Sequence, residues 1–478
     1  MSRQLNQTAT NNRITAIEVP KQEPYARTKN FKEVVLGYTE EQAIAEASRC
    51  LNCANPKCVE GCPVGVPIPT FIKLIKQNDY TGAIKKIKER NSLPAICGRV
   101  CPQEEQCQRN CILGKRGDAV SIGRLERFLA DLERERGIDI PKVPASNGKK
   151  VAVVGAGPAG LTVAADLAKL GYPVTIFEAL HKGGGVLVYG IPEFRLPKYI
   201  VQAEIDYIKK LGVELRPDAL IGRLFTIDEL LAHGYQAVFI GTGAGLPKFL
   251  DVPGENLNRI YSANEFLIRV NLMKAFNFPQ SKTPIHVGKR VAVIGGGNVA
   301  LDSARCALRL GAENVTIFYR RTRNEMPARE EEISNAEEEG IYFKYLSTPI
   351  KFMGDEEGNV KSMVTISMRL SNADDSGKHR VAPIEGSEVK MDIDTVIVAI
   401  GRTPNPIIQG TTPGLKTIKG GIIASDQTFK TSIDGVYVGG DIATGEATVI
   451  SAMGTGKTAA KAIHEYLSNS KNSIKIRF

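Results

Sequence analysis

Two segments of this 478-residue chain are near copies of each other. Residues 150–179 read KVAVVGAGPAGLTVAADLAKLGYPVTIFEA, and residues 290–320 read RVAVIGGGNVALDSARCALRLGAENVTIFYR. Each copy predicts an apolar strand, a glycine-rich turn, a helix of small residues and a second strand, which together make the βαβ unit that binds dinucleotides. The repeat therefore predicts two nucleotide-binding folds in one chain.

The chain before the first copy is helical in character. Residues 39–49 have helical spacing behind Thr39 as a possible N-cap, residues 69–90 predict two short amphipathic helices, and residues 121–136 predict a longer one. Residues 1–30 are expected to be a loose leader. After the repeat begins, further strand-like runs occur at 236–241, 394–400 and 434–440, so the predicted fold class is α/β with a helical N-terminal extension.

Eight of the nine cysteines are crowded between Cys50 and Cys111, and only Cys306 stands apart, where core packing is expected. The first run along the chain, Cys50 to Cys62, spaces its members by two, four and three residues and is followed by Pro63; the second run, Cys97 to Cys111, spaces its members by three, five and three. In a reducing compartment such crowding favours metal ligation over disulfides. Iron–sulfur ligation is preferred to zinc because only Cys50 and Cys53 form the two-residue knuckle that zinc sites use in pairs. Inert buried thiols are a third interpretation.

Charge and hydropathy narrow the class of protein. The net charge is +10, yet no run of five basic residues occurs, which disfavours nucleic acid. A basic balance also suits phosphorylated cofactors or an acidic electron carrier. No stretch predicts a membrane span, and the polar N-terminus MSRQLNQTATNN lacks the apolar region of a signal peptide, so a cytoplasmic protein is expected.

The first glycine-rich turn matches the dinucleotide fingerprint GxGxxG. Gly155, Gly157 and Gly160 follow the first strand, and Glu178 ends the second. Backbone N–H groups and the helix dipole hold a pyrophosphate at such a turn, and the carboxylate binds ribose hydroxyls. Strand, turn, helix and acid together predict a dinucleotide site, and the acid suits the adenosine ribose of FAD.

The second turn, Gly295–Ala300, follows the GxGxxA variant and lacks the acid. Arg320 and Arg321 stand where the carboxylate would be, and arginines at this place bind a 2′-phosphate. The second turn therefore favours NADP(H). The alternative is that both arginines are a solvated strand end.

The stretches GAGPAG, FEA, GGGVLVYGIPEFRLPK, GGGNVA, YRR, MPA, AIGRTPN and VYVGGD occur in this order. In this combination the chain resembles the small subunit of NADPH-dependent glutamate synthase, from about residue 35 to 465. It is also similar to the large subunit of NADH-dependent ferredoxin:NADP oxidoreductase and to the N-terminal half of dihydropyrimidine dehydrogenase. The wider group is that of glutathione-reductase-like flavoproteins with two dinucleotide folds.

The resemblance implies two cofactor sites in the α/β part. FAD is expected on Gly155, Gly157, Pro158, Ala159, Gly160, Glu178, Gly184, Gly185, Val186, Arg195, Gly440, Asp441, Thr448 and Val449. NADPH is expected on Gly297, Asn298, Val299, Ala300, Arg320, Arg321, Ala399, Ile400 and Gly401. No catalytic acid or base is expected, because hydride passes directly between the two rings.

The resemblance also implies two 4Fe–4S clusters with interleaved ligands. The first would take Cys50, Cys53, Cys58 and Cys111; the second would take Cys62, Cys101, Cys107 and a side-chain oxygen that matches Glu126. Cys97 departs from this pattern, so Glu126 and Cys97 remain alternatives for the last ligand. Glu126 as an ordinary partner on a charged helix face is a further alternative.

These expectations together describe an oxidoreductase subunit. The predicted domains are an iron–sulfur domain at 1–145, an FAD domain in two parts at 146–285 and 401–478, and an NADPH domain at 286–400. Electrons from NADPH would pass through FAD and the clusters to a glutamate synthase large subunit, a second flavin or iron–sulfur subunit, or ferredoxin. The alternatives are an electron-bifurcating transhydrogenase or sulfide dehydrogenase and, from another class, a non-redox nucleotide- and zinc-binding regulatory module.

Overall fold

The computed structural model describes residues 15–373, 379–445 and 447–469, in two compact units. The helical unit comprises the residues up to Pro20 and Gly37–Gly137; the α/β unit comprises Lys21–Leu36 and the residues from Ile138 on. Residues 138–150 carry neither helix nor strand. No helix among the described residues is both long enough and apolar enough to cross a membrane.

The helices are numbered along the chain. They are α1 (Pro24–Arg27), α2 (Glu40–Ser48), α3 (Lys57–Glu60), α4 (Ile68–Lys76), α5 (Tyr80–Lys88), α6 (Pro94–Val100), α7 (Ile122–Arg136), α8 (Pro158–Ala168), α9 (Val186–Tyr189), α10 (Lys198–Lys210), α11 (Ile227–Ala232), α12 (Ala263–Leu267), α13 (Asn298–Arg309), α14 (Glu330–Glu338), α15 (Ile407–Gly410), α16 (Asp441–Thr444) and α17 (Val449–Asn469).

The strands are numbered in the same way. They are β1 (Val151–Val154), β2 (Val174–Phe177), β3 (Glu214–Arg216), β4 (Ala237–Ile240), β5 (Leu246–Pro247), β6 (Ile260–Ser262), β7 (Arg290–Ile294), β8 (Asn314–Tyr319), β9 (Tyr342–Tyr345), β10 (Ser347–Gly354), β11 (Val360–Ala373), β12 (His379–Pro383), β13 (Val389–Asp392), β14 (Thr395–Val398), β15 (Arg402–Thr403), β16 (Thr417–Ile418), β17 (Ile422–Ile423) and β18 (Val436–Val438).

The helical unit confirms the helices predicted before the repeat. Thr39 caps α2 through a reciprocal pair of hydrogen bonds with Gln42, which satisfies two otherwise unpaired backbone donors. The region 69–90 forms α4 and α5, and both bury one apolar face, while Lys73, Lys76 and Lys85 are exposed. Because the cysteine-bearing loops lie between these short helices, the small core positions them.

Two parallel five-stranded sheets form the α/β unit, as the repeat predicts. The first has the order β18-β4-β1-β2-β3, and the second has the order β6-β14-β7-β8-β9. The central strand of each sheet, β1 or β7, leads into a glycine-rich turn, which therefore lies at the carboxyl edge where dinucleotides bind in such sheets. The three further strand-like runs are confirmed as β4, β14 and β18.

An antiparallel sheet of β10–β13 is inserted between β9 and β14, and the repeat gave no sign of it. Phe352 and Met363 of this insert pack against Ile294, Phe318 and other apolar residues of the second parallel sheet. The insert therefore buries one face of that sheet. The other face packs against α13 and α14.

The expectation of a loose leader over residues 1–30 is wrong for its described part beyond Lys21; residues 1–14 lie outside the described residues. Arg27 is fully buried, and its guanidinium forms ion pairs of 2.8 Å with both Glu338 and Glu339. The N–H of Val34 also donates to the carbonyl of Phe194. A buried cation requires such partners, so this segment is anchored in the α/β unit.

Candidate cofactor sites

The turn from β1 to α8 leaves open space in front of a helix N-terminus. Gly155 has φ +103°, and a Cβ on it would lie 2.6 Å from the carbonyl oxygen of Gly241, so only glycine fits. Gly157 precedes the first residue of α8, and a Cβ there would meet no protein atom within 4 Å. Backbone donors that face open space at a helix N-terminus can bind an anionic group.

Glu178 lies at this turn, as the fingerprint predicts. One carboxylate oxygen accepts from the N–H of Ala156 at 2.8 Å, and the other accepts from the N–H of Leu180 at 2.9 Å. Burial raises the pKa of Glu178, and the backbone donors oppose that effect by stabilising the charge. The carboxylate is therefore held beside the turn, where a ribose would need it.

Two distant segments approach the N-terminal end of α8. A Cβ on Gly185 would lie 3.1 Å from Cα of Gly157, and a Cβ on Gly440 would lie 3.2 Å from Cβ of Ala159. The N–H of Gly440 donates to Thr455 Oγ1 of α17 at 2.7 Å. The structure thus brings together the glycine-rich turn, Gly184–Val186 and the Gly440–Asp441 turn around one helix end.

The remaining predicted FAD residues follow two patterns. Asp441 begins α16, and Thr448 Oγ1 accepts from the N–H of Ser451 in the first turn of α17, next to Val449. Arg195 is instead paired with Asp302 of α13 at 2.8 Å and with Glu332 of α14 at 3.3 Å. Its guanidinium therefore links the loop before α10 to the second dinucleotide fold.

The turn from β7 to α13 repeats the construction of the first. Gly295 has φ +141°, and a Cβ on it would lie 2.3 Å from the carbonyl oxygen of Ala399, the residue after β14. A Cβ on Gly297 would meet only Pro327, at 3.9 Å. Asn298, whose Oδ1 accepts from the N–H of Arg329, starts α13, with Val299 and Ala300 in its first turn. Ala399, Ile400 and Gly401 thus lie beside the turn.

Arg320 and Arg321 follow β8, at the same edge of the sheet. Arg320 is exposed, whereas Nε of Arg321 is buried and has no hydrogen-bond partner in the part of the chain that the structure describes. The neighbouring Tyr319 packs its ring against Gly296. A buried guanidinium donor without an acceptor is costly by itself, so the site fits an anionic ligand such as a phosphate.

Cys50, Cys53, Cys58 and Cys111 form the first cysteine group, and all four are half-buried. Burial raises the pKa of Cys58 to about 11, and the nearby thiols of Cys111 and Cys50 add to the rise. Burial also raises the pKa of Cys50, with contributions from Cys111 and Cys53. The four thiols are therefore close enough to affect one another's pKa.

Cys62, Cys101, Cys107 and Glu126 form the second group, with Cys97 beside them. Burial raises the pKa of Cys107, and Cys62 and Glu126 add to the rise. Burial likewise raises the pKa of Cys62, with Glu126 and Cys97 contributing. Every residue of this group except Cys62 is buried, so the second group is internal and the first faces the surface.

The close crossing of α6 and α7 brings Cys97 and Glu126 to this group. A Cβ on Gly98 would lie only 2.6 Å from the backbone nitrogen of Arg127, so glycine is required for the approach. Between the two side chains lies Asn91, which no sequence motif singles out. Its Nδ2 donates to Glu126 Oε1 at 2.7 Å, and its Oδ1 accepts from Cys97 Sγ at 3.7 Å.

No three His, Cys, Asp or Glu side chains among the described residues are arranged to hold a single metal ion. A cuboidal cluster presents a different iron to each ligand, so its ligands need not converge on one point. Thiolates are the ligands that iron–sulfur clusters prefer, and two groups of at least four donors fit two such clusters. The assignment of individual ligands remains a prediction.

Two family models together match almost all of the chain. Residues 27–138 match dihydropyrimidine dehydrogenase domain II, 4Fe-4S cluster. Residues 149–464 match the pyridine nucleotide-disulphide oxidoreductases. The first match confirms the preference for iron–sulfur over zinc, and the second confirms the redox interpretation of the two dinucleotide folds.

Curated relatives agree with the family models. The small chain of glutamate synthase [NADPH] from Escherichia coli K12 is 35% identical over 95% of this chain and 98% of its own length. The beta subunit of NADP(+)-dependent formate dehydrogenase from Moorella thermoacetica is 39% identical over 86% of this chain. This chain spans 60% of the length of that subunit.

A solved structure supports the fold of the α/β unit. FprA from Mycobacterium tuberculosis, in complex with NADPH, superposes with a TM-score of 0.56 at 22% identity, covering 68% of this chain and 85% of its own. At that identity the likeness concerns the fold alone. Together with the two family models and the relatives, it leads to one conclusion: the chain belongs to the pyridine nucleotide-disulphide oxidoreductases and, within them, to the iron–sulfur flavoproteins that include the small chains of NADPH-dependent glutamate synthase.

Proposed function

We propose that this protein is an electron-input subunit that oxidises NADPH and passes the electrons through FAD and two 4Fe–4S clusters to a partner subunit. One observation carries the proposal: the two glycine-rich turns are built alike, but the side chains beside them carry opposite charges. Glu178 stands beside the first turn, and Arg320 and Arg321 stand beside the second. The two sites therefore select different dinucleotides within one chain.

The first site binds FAD. The N–H groups at the start of α8 hold the pyrophosphate in the open space in front of Gly157, and Glu178 accepts hydrogen bonds from the ribose. Gly185 and Gly440 allow the backbone to approach the cofactor from two sides. Bound flavin accepts two electrons as hydride and releases them singly, which connects a nicotinamide to one-electron clusters.

The second site binds NADPH. Arg321 follows β8, at the end of which the adenosine ribose lies in this type of fold; it has a buried donor with no acceptor among the described residues, and Arg320 supplies a second cation. A carboxylate in their place would repel the 2′-phosphate, whereas guanidinium groups form charge-assisted hydrogen bonds with it. The residues of this chain need only align the nicotinamide with the flavin, because hydride transfer requires no separate acid or base.

The two cysteine groups hold the two clusters. The second group is internal and the first faces the surface, so the first is the better exit for electrons. Beside it, Leu51 and Ile112 are 61% and 52% exposed, although each directly follows a ligand cysteine. Two apolar side chains at the cluster edge provide a contact for another protein.

The partner is a subunit that has its own redox centre and an acidic docking face. A cleft of about 360 Å³ beside Cys50 is lined by Lys73 and Lys76, and neither lysine forms an ion pair with a carboxylate within the described ranges. The relatives include subunits of glutamate synthase and of formate dehydrogenase. A glutamate synthase large subunit is the favoured partner; a ferredoxin-linked transhydrogenase subunit is the alternative.

Anaerobic purification of the full chain tests the proposal. The protein is expected to be yellow-brown, to contain FAD and about eight iron atoms, and to lose its flavin absorption when NADPH is added. NADH at the same concentration is expected to act far more slowly. A colourless, zinc-containing protein would refute the redox proposal. Co-purification from the native host then identifies the partner, and a ferredoxin-reducing complex would replace glutamate synthase as the physiological assignment.

A further inference from the structure

Asn91 connects the two candidates for the last ligand of the second cluster. It is 1% exposed, and three hydrogen bonds fix its side chain. Oδ1 accepts from the N–H of Leu93 at 2.9 Å and from Cys97 Sγ at 3.7 Å, while Nδ2 donates to Glu126 Oε1 at 2.7 Å. The amide therefore has one fixed orientation, with its acceptor towards Cys97 and its donor towards Glu126.

This orientation treats the two candidates differently. A carboxylate that accepts one hydrogen bond keeps further lone pairs with which it can bind iron. The sulfur of Cys97 instead faces the amide oxygen of Asn91 at 3.7 Å, so the acceptor end of the amide dipole, which disfavours a thiolate, is turned towards it. The amide thus fixes the carboxylate of Glu126 with its donor and turns only its acceptor towards the sulfur of Cys97.

We propose that Asn91 is a positioning residue that selects the oxygen of Glu126 over the sulfur of Cys97 as the last ligand of the second cluster. The inference rests on the proposed function, since it requires that cluster. Asn91 acts through Glu126 and does not itself touch the iron. Hydrogen bonds to cluster ligands and the type of ligand both set reduction potentials, so Asn91 would also tune the potential of this cluster.

The decisive variant is Asn91→Asp. It keeps an acceptor for Leu93 and Cys97, removes the donor to Glu126 and places two carboxylates side by side. We expect the iron content to stay at the wild-type value, because Cys97 replaces Glu126, while the EPR spectrum and midpoint potential of one cluster shift. The double variant Asn91→Asp with Cys97→Ala is expected to lose that cluster, and Cys97→Ala alone is expected to keep both clusters.

Each outcome has a defined meaning. Loss of a cluster in Cys97→Ala alone, or an Asn91→Asp protein with the wild-type EPR spectrum and potential, would overturn the inference. So would an Asn91→Asp protein that keeps its cluster when Cys97 is also replaced. A wild-type protein without iron would instead refute the proposed function, so the two failures are distinguishable. FAD content reports whether the α/β unit has folded, and retention of the first cluster reports whether the helical unit, which carries the substitutions, has folded.

A second measurement needs no variant. Wild-type protein labelled with ¹³C in its glutamate carboxylates is reduced and examined by electron–nuclear double resonance. A strong ¹³C coupling on one cluster is expected if Glu126 binds iron, and its absence would contradict the selection of the carboxylate. Because this readout reports a bond to iron, a purely structural role of Asn91 in the core would not produce it.

Discussion

Glu339 is the centre of a buried ion network in the α/β unit. Its side chain is fully buried and accepts from three arginines: Arg27 Nε at 2.8 Å, Arg305 Nη2 at 2.7 Å and Arg309 Nη1 at 2.7 Å. These arginines come from the N-terminal segment and from α13. Glu339→Gln keeps the size of the side chain but replaces the carboxylate that the three buried cations share with a neutral acceptor, while Arg27 keeps Glu338 and Arg305 keeps Glu332.

The free-energy cost of Glu339→Gln can be worked out in two ways. Removal of one partner from a buried ion pair costs about 3–5 kcal/mol. The arginines outweigh the effect of burial and lower the pKa of Glu339 from its ordinary 4.5 to about 2, which at about 1.4 kcal/mol per pH unit is about 3 kcal/mol. We therefore expect Glu339→Gln to lower the local stability of α13 and α14 by about 3–5 kcal/mol.

Hydrogen–deuterium exchange of the amides in α13 and α14 measures this directly. At pH 7 they are expected to exchange roughly 100-fold to several thousand-fold faster in Glu339→Gln than in the wild type. Glu338→Gln is the matched control. Glu338 also pairs with Arg27, but its side chain is 44% exposed, so a change within about 1 kcal/mol is expected. Equal exchange in the two variants would refute the assignment of the stability to the buried carboxylate.

The same network predicts a dependence on pH. Because the pKa of Glu339 is lower in the folded state, its stabilising contribution is complete above about pH 4.5 and is lost as the pH falls from there towards about 2. The difference between the wild type and Glu339→Gln is therefore expected to be constant from pH 5 to pH 8 and to shrink at pH 3. A difference in stability that grows on acidification would show that the pKa of Glu339 is not lowered in the folded state.

Three further variants test the proposed sites. Arg321→Ala is expected to raise the KM for NADPH at least about tenfold and to leave the KM for NADH within about twofold, because only NADPH carries the 2′-phosphate; equal changes in steady-state assays would contradict that role. Gly157→Val fills the space in front of α8, so the purified protein is expected to lose FAD while its circular dichroism stays that of the wild type, and full FAD content would contradict the site. Charge reversal by Lys73→Glu with Lys76→Glu is expected to slow the NADPH-driven reduction of an acidic ferredoxin about tenfold at low salt but not that of ferricyanide. Lys209→Glu with Lys210→Glu, two exposed lysines at the end of α10, is the control, and an equal loss in both pairs would argue against docking at the first cysteine group.

Most of the features that were predicted correctly are encoded by residues close together in the sequence. The two glycine-rich turns, the cap at Thr39 and the amphipathic spacing of α4 and α5 are encoded by neighbouring residues, and the structure confirms them. The two cysteine groups were implied by resemblance to a family, and the structure places their members near one another. For the turns, the cap and the two helices, a short range of sequence contains both the motif and its physical cause.

The features that escaped prediction depend on distant partners. Nothing near Arg27 indicates a carboxylate 312 residues away, so its segment resembles a polar leader. Arg195 lies in a stretch expected to bind FAD, yet its pairing with Asp302 depends on how two folds pack. Asn91 gains its position only when α6 and α7 cross, and residues alone give no sign of that crossing.

The anchoring of Arg27 has a consequence for synthesis of the chain. Arg27 leaves the ribosome 312 residues before Glu339, which is tens of seconds at about 5–20 residues per second. During that interval the segment Lys21–Leu36 is made but has no site to occupy, while the whole helical unit from Gly37 to Gly137 can already be complete. Assembly of the iron–sulfur part can therefore precede closure of the α/β unit. In a cell that lacks iron or sulfide, this assembly would fail before the two dinucleotide folds have formed.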